Sequence, residues 1–234
     1  MNTLCSEDKI PATAVDQLRR LCTLLSNSLV SLRGVILHGS AASSGFEPTR
    51  SDLDVIAIVD NSLDNQQLLQ VGTGILQISG APHPLEFSIV SLDALTNWRH
   101  PCPHLMHFGE EMRSRFEKRL FKPESHTDED LAMHMVVARS RGIDLLGNFP
   151  VSQLPEVPRS DFLAAVLSDF EWAQNQDKDL SDYILSNACR TLAFLRDGLV
   201  LSKSEGRQWC KERGIEEAKL VAEVTRELQQ MGSD

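Results

Sequence analysis

The feature that most constrains the fold of this 234-residue chain is a pair of short β-branched runs separated by a turn, with acids at the mouth of the second run. Gly34-Val-Ile-Leu-His-Gly39 and Leu53-Asp-Val-Ile-Ala-Ile-Val59 are too short and too rich in isoleucine and valine for helices, so both read as strands. The Ser/Gly/Pro-rich stretch from Ser40 to Ser51 reads as the turn between them. Gly39-Ser40 ends one strand, and after eleven intervening residues Asp52-Leu53-Asp54 opens the next. Alternate strand residues point to one face, so the two aspartates project side by side from an edge of the sheet.

Carboxylates held that close repel unless a cation lies between them. Hard oxygen donors suit Mg²⁺, which takes one or two carboxylates and completes its shell from a nucleotide. The Gly-Ser turn supplies the complementary half: glycine lets the backbone approach a polyphosphate, and serine offers it a hydroxyl and an N–H. A lone Gly-Ser or Asp-x-Asp is common by chance, whereas the ordered combination is specific. Glu86 adds to it, lying in a third strand-like run, Leu85 to Val90, among apolar residues where a carboxylate is costly to bury. Alone, Glu86 could face solvent on a half-exposed strand. Beside Asp52 and Asp54, a third acid can bind a second ion or take the proton of an attacking hydroxyl.

The rest of the chain frames this constellation. Apolar residues at helical spacing predict an opening helix within Ala12 to Leu29, and a second helix is expected over Ser62 to Leu76. After Trp98-Arg-His-Pro-Cys-Pro103, the stretches Asp128–Leu146, Asp161–Trp172, Asp182–Leu195 and Glu205–Gln230 all read as helices, with no strand-like run among them. The expected class is α+β: an N-terminal domain with a small mixed sheet over residues 1–150 and an all-α domain over 151–234. The linker is sought near Leu154 to Pro158, where prolines stand at 150, 155 and 158.

Composition narrows the partners. Charged residues at 24% and hydrophobic ones at 41% describe an ordinary globular protein rather than a disordered or fibrous one. A formal charge of −10 argues against a nucleic-acid partner, which would call for a basic face. No apolar run reaches the roughly 18 residues of a membrane span, and Met1 to Ile10 lacks the basic-then-apolar order of a secretion signal, so a cytoplasmic protein is expected. The five cysteines contain no C-x-x-C pair and read as reduced and structural. His100, Cys102, His104 and His107 form a cluster that zinc could use, but Pro101 and Pro103 interrupt it and no common zinc spacing is met. It reads as a crossover. His38 reads as a strand residue packed beneath the turn rather than a base, and the acids from Ser125 to Asp130 read as helix-start carboxylates.

The run from Leu37 through His-Gly-Ser-Ala-Ala-Ser-Ser-Gly-Phe-Glu-Pro-Thr-Arg-Ser-Asp-Leu to Asp54 resembles the signature of the aminoglycoside nucleotidyltransferases of the DNA-polymerase-β-like superfamily. Leu85-Glu86, Trp98-Arg99-x-Pro101, Phe108-Gly109-Glu110, Asp130-Leu131-Ala132, Leu185 to Arg190 and Ser202-Lys203 are similar to the streptomycin/spectinomycin adenylyltransferase branch, and these segments cover most of the chain. The resemblance implies AMP transfer from ATP to the 3″-hydroxyl of streptomycin or the 9-hydroxyl of spectinomycin. It implies two Mg²⁺ ions on Asp52 and Asp54 with Glu86 beside them as the general base. Gly39, Ser40 and Ser51 would hold phosphates, Asp130 would support the nucleotide site, and Arg190 and Lys203 would neutralise the triphosphate as pyrophosphate leaves.

Trp172 and Asp177 resemble the tryptophan and aspartate this branch uses for streptomycin, a pairing suited to a guanidinylated sugar alcohol. Two segments depart from the family pattern. Phe108-Gly-Glu-Glu111 puts a carboxylate where the branch has a tryptophan, so Glu111 would face the drug in place of an aromatic wall. Arg226-Glu-Leu-Gln-Gln230 stands where a tyrosine near adenine is expected. The implied protein is a monomer acting on a small cationic molecule. Two rivals are an adenylyltransferase of the same fold that modifies another small cation, a protein or a tRNA end, and a catalytically silent nucleotide-binding module.

Overall fold

A computed structural model of the chain describes residues 4–43, 45–60, 62–119, 126–175 and 181–231. Its elements follow in the order α1 (Val15–Ser28), β1 (Leu32–His38), β2 (Leu53–Val59), α2 (Asn65–Ile78), β3 (Leu85–Ser91), α3 (Leu92–Thr96), β4 (Cys102–His104) and β5 (Met106–Phe108). They continue through α4 (Arg113–Glu117), β6 (His126–Asp128), α5 (Leu131–Arg141), β7 (Ile143–Gly147), α6 (Arg159–Gln174), α7 (Ser181–Asp197), α8 (Lys203–Glu212) and α9 (Glu217–Met231). The chain divides into two compact units, Met1–Val157 and Pro158–Asp234. No described helix is long and apolar enough to cross a membrane.

In the first unit the described strands form a five-stranded mixed sheet in the order β5-β3-β2-β1-β7, with β4 and β6 paired apart from it. β2 and β3 run parallel, joined by the crossover helix α2, while β1 meets β2 and β7 antiparallel, as β3 meets β5. The crossover starts at a capping box: the Asp64 carboxylate accepts the Gln67 N–H at 2.7 Å, and the Gln67 side chain accepts the Asp64 N–H at 3.0 Å. On one side of the sheet, Leu18, Leu21 and Leu25 of α1 and Val71 and Ile75 of α2 bury against Val35, Leu37, Val55, Phe87 and Ile89. On the other side, Leu131, Met135 and Ala138 of α5 cover Ile36, Ile56, Ile58 and Val90.

Two expectations about elements need correction. Residues 128–146 are not one helix, because α5 stops at Gly142 and the chain returns to the sheet as β7, pairing Leu37 with Ile143 and Gly34 with Gly147. Residues 205–230 are not one helix either. The chain breaks at Gly214, whose φ of +64° is the left-handed helix end that glycine favours, and the Ile215 N–H reaches back to the Cys210 carbonyl at 3.0 Å. The second unit among the described residues is helical, with α8 opened by its own capping box between Ser202 and Glu205.

Candidate active site

Strand alternation separates the site from the core. Leu53, Val55, Ala57 and Val59 of β2 and Leu85, Phe87 and Ile89 of β3 enter the large core, leaving the intervening residues to the side covered by α5. Asp54, Glu86 and His38 share that second parity. They also stand in one row, since His38 pairs with Asp54 across β1 and β2, and Asp54 pairs with Glu86 across β2 and β3. Asp52 precedes the strand by one residue on the same parity, and one carboxylate oxygen from each of Asp52, Asp54 and Glu86 lies within 4.8 Å of the others.

Crowding shapes the chemistry of this row. Loss of hydration holds the Asp54 carboxyl well above the usual carboxylate range, and the charges of Asp52 and Glu86 add to the effect. Glu86 is pushed up to about 8, first by burial and then by Asp52 and Asp130. Asp54 and Glu86 thus face each other as two carboxyls that burial and mutual repulsion disfavour in the charged form. His38, buried at 3% exposure, is held neutral, its pKa lowered by burial and by His134. Three hard oxygen donors this close together are a donor set a divalent cation fits.

The turn after β1 completes this corner. Gly39 has φ of +63°, and a Cβ there would run into the Asp54 carboxylate, so glycine is required both for the bend and for the close approach. The next residue, Ser40, has a buried hydroxyl oxygen with no hydrogen-bond partner among the described residues, a donor left over for a ligand. The Ser51 hydroxyl accepts the Glu47 N–H at 3.0 Å and closes the turn that leads into Asp52. Asp130 stands immediately before α5, and its charge is among those that raise Glu86.

Other expected positions belong to other elements. Glu110 is taken up structurally: it accepts from Arg113 Nε at 2.6 Å and from the Ser79 hydroxyl, while Arg113 donates to the Leu76 and Ser79 carbonyls at the end of α2. Glu111 is exposed, its carboxylate folded back over Gly109. Cys102 and His104 fall in β4 and His107 in β5, where His107 Nδ1 and the Ser88 hydroxyl are 2.9 Å apart. In the second unit, Arg190 Nη2 donates to the Asn187 side chain at 2.5 Å and Lys203 Nζ sits 5.0 Å above the Tyr183 ring. Trp172, 51% exposed, meets the edge of the same ring at 6.4 Å. Asp177 lies outside the described residues.

Sequence reading missed two groups of residues. One is His134, whose Nε2 stands 3.3 Å from Glu86 Oε1. The other is the network under Arg190, in which the buried Asp169 carboxylate accepts from the Tyr183 hydroxyl and the Asn187 amide, both at 2.7 Å. A polar residue inside an apolar helical stretch was the available signal for His134 and Asp169 alike. The spacing of Asp130 and His134, one turn apart, was a second signal for the histidine.

Residues 152–229 match the family model of the aminoglycoside adenylyltransferase C-terminal domain. A spectinomycin 9-adenylyltransferase of Staphylococcus aureus is 29% identical over 208 residues, which cover 86% of this chain and 78% of that protein. Both comparisons make the chain similar to aminoglycoside nucleotidyltransferases. An aminoglycoside (3″)(9) adenylyltransferase of Klebsiella pneumoniae is 30% identical over 142 residues, 58% of this chain and 53% of the relative. The fold agrees as well. A spectinomycin adenyltransferase from Enterococcus faecialis, solved with ATP and spectinomycin, superposes with a TM-score of 0.75 at 22% identity, covering 91% of this chain and 89% of that one. The expected class, a small mixed sheet followed by a helical bundle, is therefore met. The family model spans Trp172, Arg190 and Lys203, while the carboxylate row of this chain lies outside that span.

Proposed function

We propose that this chain moves AMP from ATP onto a hydroxyl of spectinomycin or streptomycin, acting as a monomer in the cytoplasm. The observation that carries the reading is the convergence of Asp52, Asp54 and Glu86 within 4.8 Å beside Gly39-Ser40. Asp52 and Asp54, with Glu86 adjacent, would hold two Mg²⁺ ions, which when bound supply Lewis-acid charge to the α-phosphate and the leaving pyrophosphate. Glu86, ionised by the cations that would sit beside it, takes the proton of the attacking hydroxyl. The alcohol oxygen then forms its bond to the α-phosphorus as the bond to the β-phosphate bridging oxygen breaks, releasing pyrophosphate.

Ser40 and Ser51 hold phosphate oxygens, Asp130 supports the nucleotide site, and Arg190 and Lys203 cover the triphosphate charge. Residues 1–150 supply the chemistry, and residues 151–234 supply contacts to drug and triphosphate. Trp172 and Asp177 receive the cationic drug, with Glu111 facing it. Spectinomycin is favoured as the first substrate to test, because the Staphylococcus aureus relative is named for its 9-position and the Enterococcus faecialis protein was solved with that drug.

The decisive experiment incubates the protein with Mg·ATP and, separately, spectinomycin, streptomycin and kanamycin, and measures pyrophosphate release and product mass. A product heavier by one AMP residue on either of the first two supports the reading. Modification of kanamycin alone moves the enzyme to another branch, and ATP binding with no pyrophosphate release marks a silent module.

A further inference from the structure

A base that must meet a hydroxyl proton needs its carboxylate held at one rotation, because misplacement by about 1 Å can cost on the order of 100-fold in rate. The terminal torsion of glutamate is broad, so Glu86 does not fix itself. Its neighbours Leu85 and Phe87 point into the core on the opposite face. A fixing contact comes instead from α5, where His134 Nε2 lies 3.3 Å from Glu86 Oε1.

His134 is itself held in place. Its N–H donates to the Asp130 carbonyl at 3.0 Å in the first turn of α5, and its helix neighbours Leu131, Met135 and Ala138 are buried against the sheet. Its ring leans on His38, centroids 5.2 Å apart and planes tilted by 48°. His38 is in turn buried and paired with Asp54, so the imidazole is wedged between the carboxylate row and the strand beneath it.

We propose that His134 is a positioning residue for the transfer reaction: it donates from Nε2 to Oε1 of Glu86 and fixes the carboxylate plane, leaving the second oxygen to face the substrate hydroxyl. The inference rests on Glu86 being the base. Nothing in the family description of residues 152–229 reaches this position. A partner of this kind orients the group that reacts without touching substrate, and losing one typically costs about 10–100-fold.

The test compares His134→Gln, His134→Asn and His134→Leu in the full chain by steady-state pyrophosphate release with Mg·ATP and spectinomycin, alongside calorimetric ATP affinity. Glutamine places an amide nitrogen near the Nε2 position, so His134→Gln should keep kcat within about threefold of the unsubstituted protein. His134→Asn and His134→Leu should lower kcat by about 10–100-fold with KM for the drug and affinity for ATP unchanged. Should the leucine variant fail to fold, the glutamine and asparagine variants decide, since they differ by one methylene. Normal kcat in the asparagine variant, equal losses in both amides, or a change in KM alone would overturn the proposal. An unsubstituted protein that forms no adenylylated drug overturns the function reading and this inference with it, whereas active variants beside an active parent overturn only the role of His134.

Discussion

Asp54 of β2 and Glu86 of β3 are register partners on adjacent parallel strands, and burial holds both carboxyls well above the ordinary carboxylate range. The folded protein therefore keeps a proton here that the unfolded chain releases. Glu86 binds its proton up to about pH 8 when folded, against an ordinary value of 4.5. Between those limits the folded state binds more protons, so stability is fully present below the lower value and is lost as pH rises through the upper one. Melting of the metal-free protein should show Tm falling across this window, and Glu86→Gln should flatten the slope. Equal slopes in the two proteins would place the retained proton elsewhere.

Glu86→Ala should still bind ATP while turnover drops roughly 10²–10⁴-fold, the usual scale for a general base. Calorimetry for binding and pyrophosphate release for turnover separate the two effects. Unchanged turnover would remove Glu86 from its role as base.

Gly39→Ala meets two penalties, a φ of +63° and a methyl directed into the Asp54 carboxylate. A loss of about 1–3 kcal/mol in urea unfolding is expected, together with weaker Mn²⁺ binding at the displaced aspartate. Gly214→Ala is the control: its φ is +64° but nothing lies within 4 Å of an added Cβ, so it should lose stability by about 1 kcal/mol with no change in ion affinity.

Asp169→Leu leaves the Tyr183 hydroxyl and the Asn187 amide without their acceptor in the second unit. The expected cost is about 1–3 kcal/mol, read by chemical denaturation, and Tyr183→Phe should cost less because it removes only one donor. Equal stability of Asp169→Leu and the parent would show that the network carries no weight in this helical unit.

What was legible in the sequence followed from local signals. β1, β2 and β3 are brief β-branched runs that need no partner to be recognised, and Asp52, Asp54 and Glu86 stand out because acids punctuate them. β7 was not legible: only Gly142 separates it from α5, and its strand character comes from pairing with β1, more than a hundred residues earlier. β5 likewise owes its three residues to β3. His134 and Asp169 hid for a related reason, since each is one polar residue in an apolar helix whose meaning depends on what the fold sets against it. The partners of Asp169 are 14 and 18 residues away along the chain, and only helix packing in the second unit brings them to it.

The alternation that turns Asp54 and Glu86 away from the large core and toward the α5 side also guards the alignment of the strands bearing them. If β2 slid by a single position against its neighbours, Asp54 would turn into the large core while Leu53 and Val55 turned toward α5. Burying an unpaired carboxylate there would cost several kcal/mol, so the shifted register is disfavoured. The acids thus help set the register of the sheet, and neutral substitutions at Asp54 should make strand pairing more permissive.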